Sequence, residues 1–313
     1  MSSISSIGDE EIRGQLPPRF RVTAGLLLRI AVSTGLLAAA FWLTSDKLDW
    51  SQLARLDLPT IAISAALSLA IVWLLAWRWL KVTRLVIPEA TALPRFGTFV
   101  AQTWLGLAAN QVLPSIVAGD ALRIGLLARQ NLPLGSATGS VLLDRVFGLV
   151  GLAVLTVASA FLLAPDFAIP SLAVAAIVLG GTTLLAVLWR LFGSRFRAIL
   201  PLHHVTPATG AALVAMAMAA HLANIAVFLV VAHALGADLP LLPTIAVMCA
   251  VLLVGVLPIS VAGWGVRELA LVQALGHIGV APDTIILASV TYGLVLFMMQ
   301  APGFLLLARR DRP

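Results

Sequence analysis

Long apolar runs separated by short basic clusters set the pattern of this chain. Six runs, about 24–43, 59–80, 137–163, 171–189, 208–234 and 284–307, are each long enough to cross a bilayer as one helix, since about 20 residues at 1.5 Å each cover the roughly 30 Å of hydrocarbon. Two further apolar regions, about 94–129 and 241–275, are broken near their middles by Pro114 with Gly119 and by Pro258 with Gly263 and Gly265. Their arms of about 15–19 residues would be only about 22–28 Å long as helix. The pattern therefore predicts an all-α polytopic membrane protein with six spans and two re-entrant helical hairpins; eight spans, with each hairpin replaced by two short tilted crossings, give the same topology.

Composition strengthens this picture. Of the 313 residues, 60% are hydrophobic and 11% charged, and mean hydropathy is +1.03, whereas a soluble domain sits nearer half apolar and a quarter charged. The net charge of +6 does not point to nucleic acid, because the basic residues lie between apolar runs, where they encode orientation. The single cysteine, Cys249, rules out an intramolecular disulfide and reads as a small buried residue. His203-His204 lacks the further ligands a metal site needs, and no motif calls for a cofactor. Gly263-Trp264-Gly265 has no strand around it and is not a dinucleotide loop.

Charge bias gives an expected orientation. With the N-terminus inside, the cytoplasmic segments collect fourteen basic residues, at positions 13, 19, 21, 78, 81, 84, 95, 129, 190, 195, 197, 309, 310 and 312, against Lys47 and Arg55 on the other side. The positive-inside rule then places both termini in the cytoplasm of a multi-pass protein of the cell (inner) membrane. Residues 1–23 form a cytoplasmic segment, 24–308 one transmembrane domain, and 309–313 a cytoplasmic tail. The run at 24–43 is too long for a cleaved signal sequence.

The two breaks resemble each other. Leu113 to Arg123 aligns without gaps on Leu257 to Arg267, with Leu, Pro, Val, Ala, Gly and Arg in common, at an offset of 144. The same offset superposes spans one to three on spans four to six, giving halves of about 24–163 and 171–308. Three crossings per half is odd, so the halves are expected to be inverted, and paired Gly/Pro-interrupted segments point to a transport site.

Between the breaks lie ionisable residues that a bilayer penalises by about 2.5–3.5 kcal/mol each. They are Asp120, Arg123, Asp144, Arg145, Arg267 and Glu268, and their charges sum to zero. Asp120 and Arg123 share a helix face. Asp144 with Arg145, and Arg267 with Glu268, are adjacent and diverge on a helix, so they are expected to find partners across the two halves. One reading is a set of structural salt bridges; the other is an anion-binding centre, helped by the N-termini of the second arms and by Ser115 and Ser260 beside the breaks. Asn110 either reaches a headgroup or closes its hairpin. His221 and Asn224, three apart, are expected to bond between helices. Gly148 and Gly151 read as close-packing glycines, and the tryptophans, including Trp73, Trp77 and Trp79, as markers of span ends.

Asn110-Gln-Val-Leu-Pro114, Gly119-Asp120-Ala-Leu-Arg123, Asp144-Arg145, Leu257-Pro258 and Gly265-Val266-Arg267-Glu268 together resemble the motifs of the lysylphosphatidylglycerol synthase transmembrane, flippase-like family, from about residue 25 to 308. That resemblance implies a membrane domain that moves lipids between leaflets. Two departures matter. The family's synthases carry a soluble catalytic domain after the membrane part, and this chain stops at Pro313, so the chain is not expected to be an enzyme. Family members also often carry an Asp three residues after the Arg of the Glu-Arg pair, where this chain has Gly148. The leading expectation is a translocase for an anionic or aminoacylated phospholipid or a polyprenyl phosphate, with membrane lipids as partners. The alternatives are an ion-coupled transporter of a small anion and a non-catalytic subunit of a lipid-biosynthetic enzyme.

Overall fold

The computed structural model describes Gly35 and residues 50–87, 92–112, 118–163, 205–255, 264–276 and 279–310. The expected spans at 24–43 and 171–189, together with Pro114, Ser115, His203, His204, Pro258, Ser260 and Gly263, lie outside these residues.

The described elements are helical. After a 3-10 turn at Trp50–Arg55 come α1 (Leu58–Val86), α2 (Phe96–Val112), α3 (Ala118–Ala128), α4 (Leu134–Leu163), α5 (Pro207–Ala234), α6 (Leu241–Val254), α7 (Val266–Gly276), α8 (Pro282–Met299) and α9 (Ala301–Arg310). Four stretches are long and apolar enough to span: Leu58–Val86, Leu134–Ser159, Pro207–Ala234 and Pro282–Leu306. They match four of the six expected runs to within a few residues.

Local chemistry fixes the helix ends. The Asp57 carboxylate accepts the Thr60 N–H at 2.9 Å to cap α1, and the Thr60 hydrogen bonds hold that carboxyl below its ordinary pKa. Ile87 ends α1 in extended backbone, as a residue preceding a proline must. Thr206 caps α5 ahead of Pro207, where a missing N–H costs nothing. Its other end closes through left-handed Gly236, with Gly236 N–H on His233 O and Ala237 N–H on Ala232 O, the paired bonds of a Schellman turn. The last span breaks at Gln300, ahead of Pro302.

The arms at the two interrupted regions are 17 and 11 residues in α2 and α3, and 14 and 11 in α6 and α7, or about 26, 17, 21 and 17 Å. The second arms are thus shorter than the 15–19 residues expected. Within each region the two arms pack against one another. Gly119 of α3 meets Asn110 of α2, and Arg123 meets Gly106, so α2 and α3 run antiparallel.

Helices α1 and α5 pack along much of their length, and α4 lies against both. In lipid the apolar effect gives no drive between helices, so small residues that let backbones approach carry the packing. A Cβ on Gly151 of α4 would stand 2.5 Å from Ala217 Cβ and 3.2 Å from Val214 O of α5. A Cβ on Gly303 of α9 would collide with Trp104 O of α2. Gly151 packs as the sequence suggested. One core joins Leu152, Phe228, Val231, Met248, Leu271 and Ile285; another joins Ala76, Trp79, Phe99, Leu127 and Val141. Cys249 is buried in the first. Trp73 and Trp77 are more than half exposed, but Trp73 lies at the middle of its span and marks no span end, and Trp79 is fully buried. Replacing Gly151 by Leu should separate α4 from α5 and cost about 1–3 kcal/mol, read as a lower melting temperature in detergent.

Candidate functional site

Asp144, at the middle of α4, is 2% exposed and is shared by two arginines. Arg78 of α1 donates from Nε to Oδ1 at 2.7 Å. Arg123 of α3 donates from Nη2 to Oδ2 at 3.1 Å. Its neighbour Asp120 receives a bidentate pair from Arg145 of α4, Nε and Nη2 both at 2.8 Å, and stands 3.6 Å from Arg123. Residues of α1, α3 and α4 therefore form one connected cluster.

The backbone is built to admit it. A Cβ on Gly106 would reach 3.0 Å from Arg123 Cδ, and one on Gly119 would strike Gly106 O, so glycines at both positions bring α3 close enough to α2 for the Arg123 stem to cross. Asn110 Oδ1 accepts the Gly119 N–H at 2.8 Å, so Asn110 closes the hairpin. The Arg123 guanidinium lies 3.9 Å over the Trp79 ring, and Trp79 is held by its Nε1–H to Ser140 Oγ at 3.2 Å.

Arg267 and Glu268 form a separate pair. Arg267 donates to Glu268 Oε1 from Nη2 at 2.6 Å and from Nε at 3.0 Å, and Ser289 of α8 donates to the same oxygen at 2.8 Å. Gly265, in left-handed backbone, gives its N–H to Glu268 Oε2 at 2.7 Å, the return bond of a capping box. Arg267 lies between Trp264 and Tyr292 at 4.9 and 5.1 Å; a Cβ on Gly293 would stand 2.5 Å from its Nη2.

Two expectations are corrected by these contacts. Adjacent Arg267 and Glu268 bond each other, because a long guanidinium stem folds back over the helix start and spans the divergence. Among the described residues, the ion pairs close within the first half and within the second, not between them. Arg78, counted above as a cytoplasmic loop residue, is 5% exposed and inside α1; no sequence spacing links it to Asp144, sixty-six residues away. Among the described residues, the cluster of Arg78, Asp120, Arg123, Asp144 and Arg145 thus sums to one positive charge, whereas the six ionisable residues singled out in the sequence sum to zero. The N–H groups of Gly119 and Gly265, at the starts of the second arms, are taken by Asn110 and Glu268.

Beside the cluster is a cavity of about 380 Å³ lined by Ser68, Arg78, Trp104, Asp120, Arg145, Gly148, His221, Asn224 and Gln300 among apolar residues of α1, α2, α4, α5 and α8. The Arg78 guanidinium borders it with Nε on Asp144, and a Cβ on Gly148 would lie 3.3 Å from Arg78 Nη2. Position 148, where the family pattern often has a carboxylate, therefore faces this guanidinium. His221 Nε2 bonds Gly148 O at 3.1 Å, and Tyr292 donates to Asn224 Oδ1 at 2.8 Å, the helix-to-helix bonds expected of that pair.

The chain matches the family model described as the lysylphosphatidylglycerol synthase TM region over residues 26–303. No curated protein matches it.

Asp144→Asn leaves two buried guanidinium groups without their carboxylate and should destabilise the fold by about 3–5 kcal/mol. Arg145→Ala should cost less, because 45% of that side chain is already exposed; the melting temperatures of the two purified variants compare them.

Proposed function

The chain belongs to the lysylphosphatidylglycerol synthase transmembrane family, and on that premise we propose that it is a lipid translocase whose cavity holds an anionic headgroup. One observation carries the reading: a cavity among the spans is bordered by the Arg78 guanidinium, and its cluster has one positive charge more than its carboxylates cancel. An unpaired charge at that depth costs about 2.5–3.5 kcal/mol, and a bound anion offsets this cost. Arginine presents a planar fork suited to phosphate oxygens. The apolar remainder of the lining lets a lipid headgroup enter while its chains stay in the bilayer.

We read the two halves as inverted repeats, and the neighbours of each helix agree with that reading. Helix α6 packs on α4, and α2 packs on α9, which continues the last span; α3 packs on α4 as α7 packs on α8. Exchange of the halves preserves this pattern of neighbours, which suits a mechanism in which the interrupted segments expose one site to each leaflet in turn. In this reading the protein sits in the inner membrane with both termini in the cytoplasm, acts on membrane lipids, and catalyses no covalent step of its own. A lipid-biosynthetic enzyme is the natural partner to supply the cargo.

Purified protein in vesicles should accelerate leaflet exchange of a fluorescent anionic phospholipid. Arg78→Gln removes a charge-assisted hydrogen bond of about 1.5–3 kcal/mol and should slow exchange about 10- to 100-fold. Vesicles that take up a soluble anion while their lipids exchange no faster than in protein-free controls would sink this proposal.

A further inference from the structure

Gly148 lines the cavity and faces the Arg78 guanidinium. We propose that the uncancelled positive charge of the cluster, with a glycine facing Arg78, selects a lipid whose headgroup is a phosphodiester monoanion with an uncharged, hydroxyl-bearing substituent. The inference rests on the translocase reading and sharpens it to a substrate class.

Among the charged residues lining the cavity, Arg78 and Arg145 outnumber Asp120 by one. Behind them Arg123 and Asp144 cancel. Both oxygens of Asp120 are engaged by Arg145, and both oxygens of Asp144 are engaged, by Arg78 and Arg123. The negative charge of both carboxylates is thus already matched by arginines, so the ammonium of an aminoacyl or ethanolamine substituent adds to the excess positive charge of the described residues instead of cancelling it. A phosphomonoester carries about −1.5 to −2 near neutral pH and overshoots the single excess positive charge. A phosphodiester carries one negative charge and matches it.

The uncharged polar lining fits the substituent. Ser68 is 8% exposed, and neither its Oγ nor Oε1 of Gln300 has a hydrogen-bond partner among the described residues. Asn224 has its Oδ1 occupied by Tyr292, which leaves its amide N–H groups as the donors it can offer. Hydroxyl groups, which both give and accept hydrogen bonds, complement such a set without adding charge.

Gly148 is the place to test the count. The neighbour a Cβ there would meet is the far end of the Arg78 side chain, which can yield by a few tenths of an ångström. Gly148→Asp sets a carboxylate beside Arg78 and brings the cluster to neutrality; Gly148→Asn adds the same bulk without charge. The full chain, reconstituted at pH 8 where an imidazole of ordinary basicity is neutral, is assayed for leaflet exchange of fluorescent phosphatidylglycerol, phosphatidic acid, phosphatidylethanolamine and lysylphosphatidylglycerol. The wild type should exchange phosphatidylglycerol severalfold faster than the other three. Gly148→Asp should move the preference to phosphatidylethanolamine. Gly148→Asn should keep the wild-type order, whatever it costs in overall rate.

A wild type that prefers phosphatidic acid or lysylphosphatidylglycerol overturns the inference and leaves the translocase reading standing. The same lipid order in Gly148→Asp and Gly148→Asn overturns the assignment of selectivity to the uncancelled charge. Exchange of none of the four lipids overturns the translocase reading itself. The melting shift of the detergent-purified protein with soluble glycerophosphoglycerol, compared with glycerol phosphate, then decides the class: a larger shift with the diester upholds it and an equal or smaller one removes it.

Discussion

A carboxylate buried inside a helix long and apolar enough to span a bilayer is tolerated only when its neighbours supply compensating charge, and Asp144 obtains it from two helices at once. Arg78 reaches it from α1 and Arg123 from α3. The shared carboxylate ties the interrupted segment to two long spans. With hydrocarbon outside, neither arginine has an alternative partner as good, so the arrangement resists separation more strongly than a similar set on a water-facing surface would. The Trp79 ring beneath Arg123 seals the cluster on one side. The cavity opens beside Arg78 and Arg145.

The two interrupted segments, alike in sequence around their breaks, use their arginines differently. Arg123 reaches another helix for its main partner and belongs to a cluster with spare positive charge. Arg267 is neutralised by the next residue, buttressed by Ser289 and flanked by Trp264 and Tyr292. The second pair nevertheless touches the cavity indirectly, because Tyr292 also bonds Asn224 on its wall. A displacement of α7 relative to α8 therefore has a short route, through two side chains, to the cavity wall.

Glycine sets the distances on which this depends. Gly106 and Gly119 bring α3 onto α2, Gly151 brings α4 onto α5, and Gly293 makes room for Arg267. Gly148 lies against the Arg78 guanidinium on the wall of the cavity, where a Cβ would stand 3.3 Å from Nη2.

The sequence by itself determined the membrane class, the positions of four long spans and the places where two segments break, because these follow from length and hydropathy against a fixed hydrocarbon thickness. It also singled out Asp120, Arg123, Asp144, Arg145, Arg267 and Glu268, since charge in an apolar run is conspicuous on its own. Only the tertiary structure decided which of these meet. Arg78 sits among the basic residues near the end of its span, where a positive charge is unremarkable, and nothing in the spacing says that it turns inward to a residue sixty-six positions on. Arg267 and Glu268 point apart by helical geometry, yet a flexible guanidinium stem closes the gap, which residue-level periodicity cannot register. The balance of charge in the cavity is a property of neighbours brought together by packing, and for that reason it became countable only once α1, α3 and α4 were side by side.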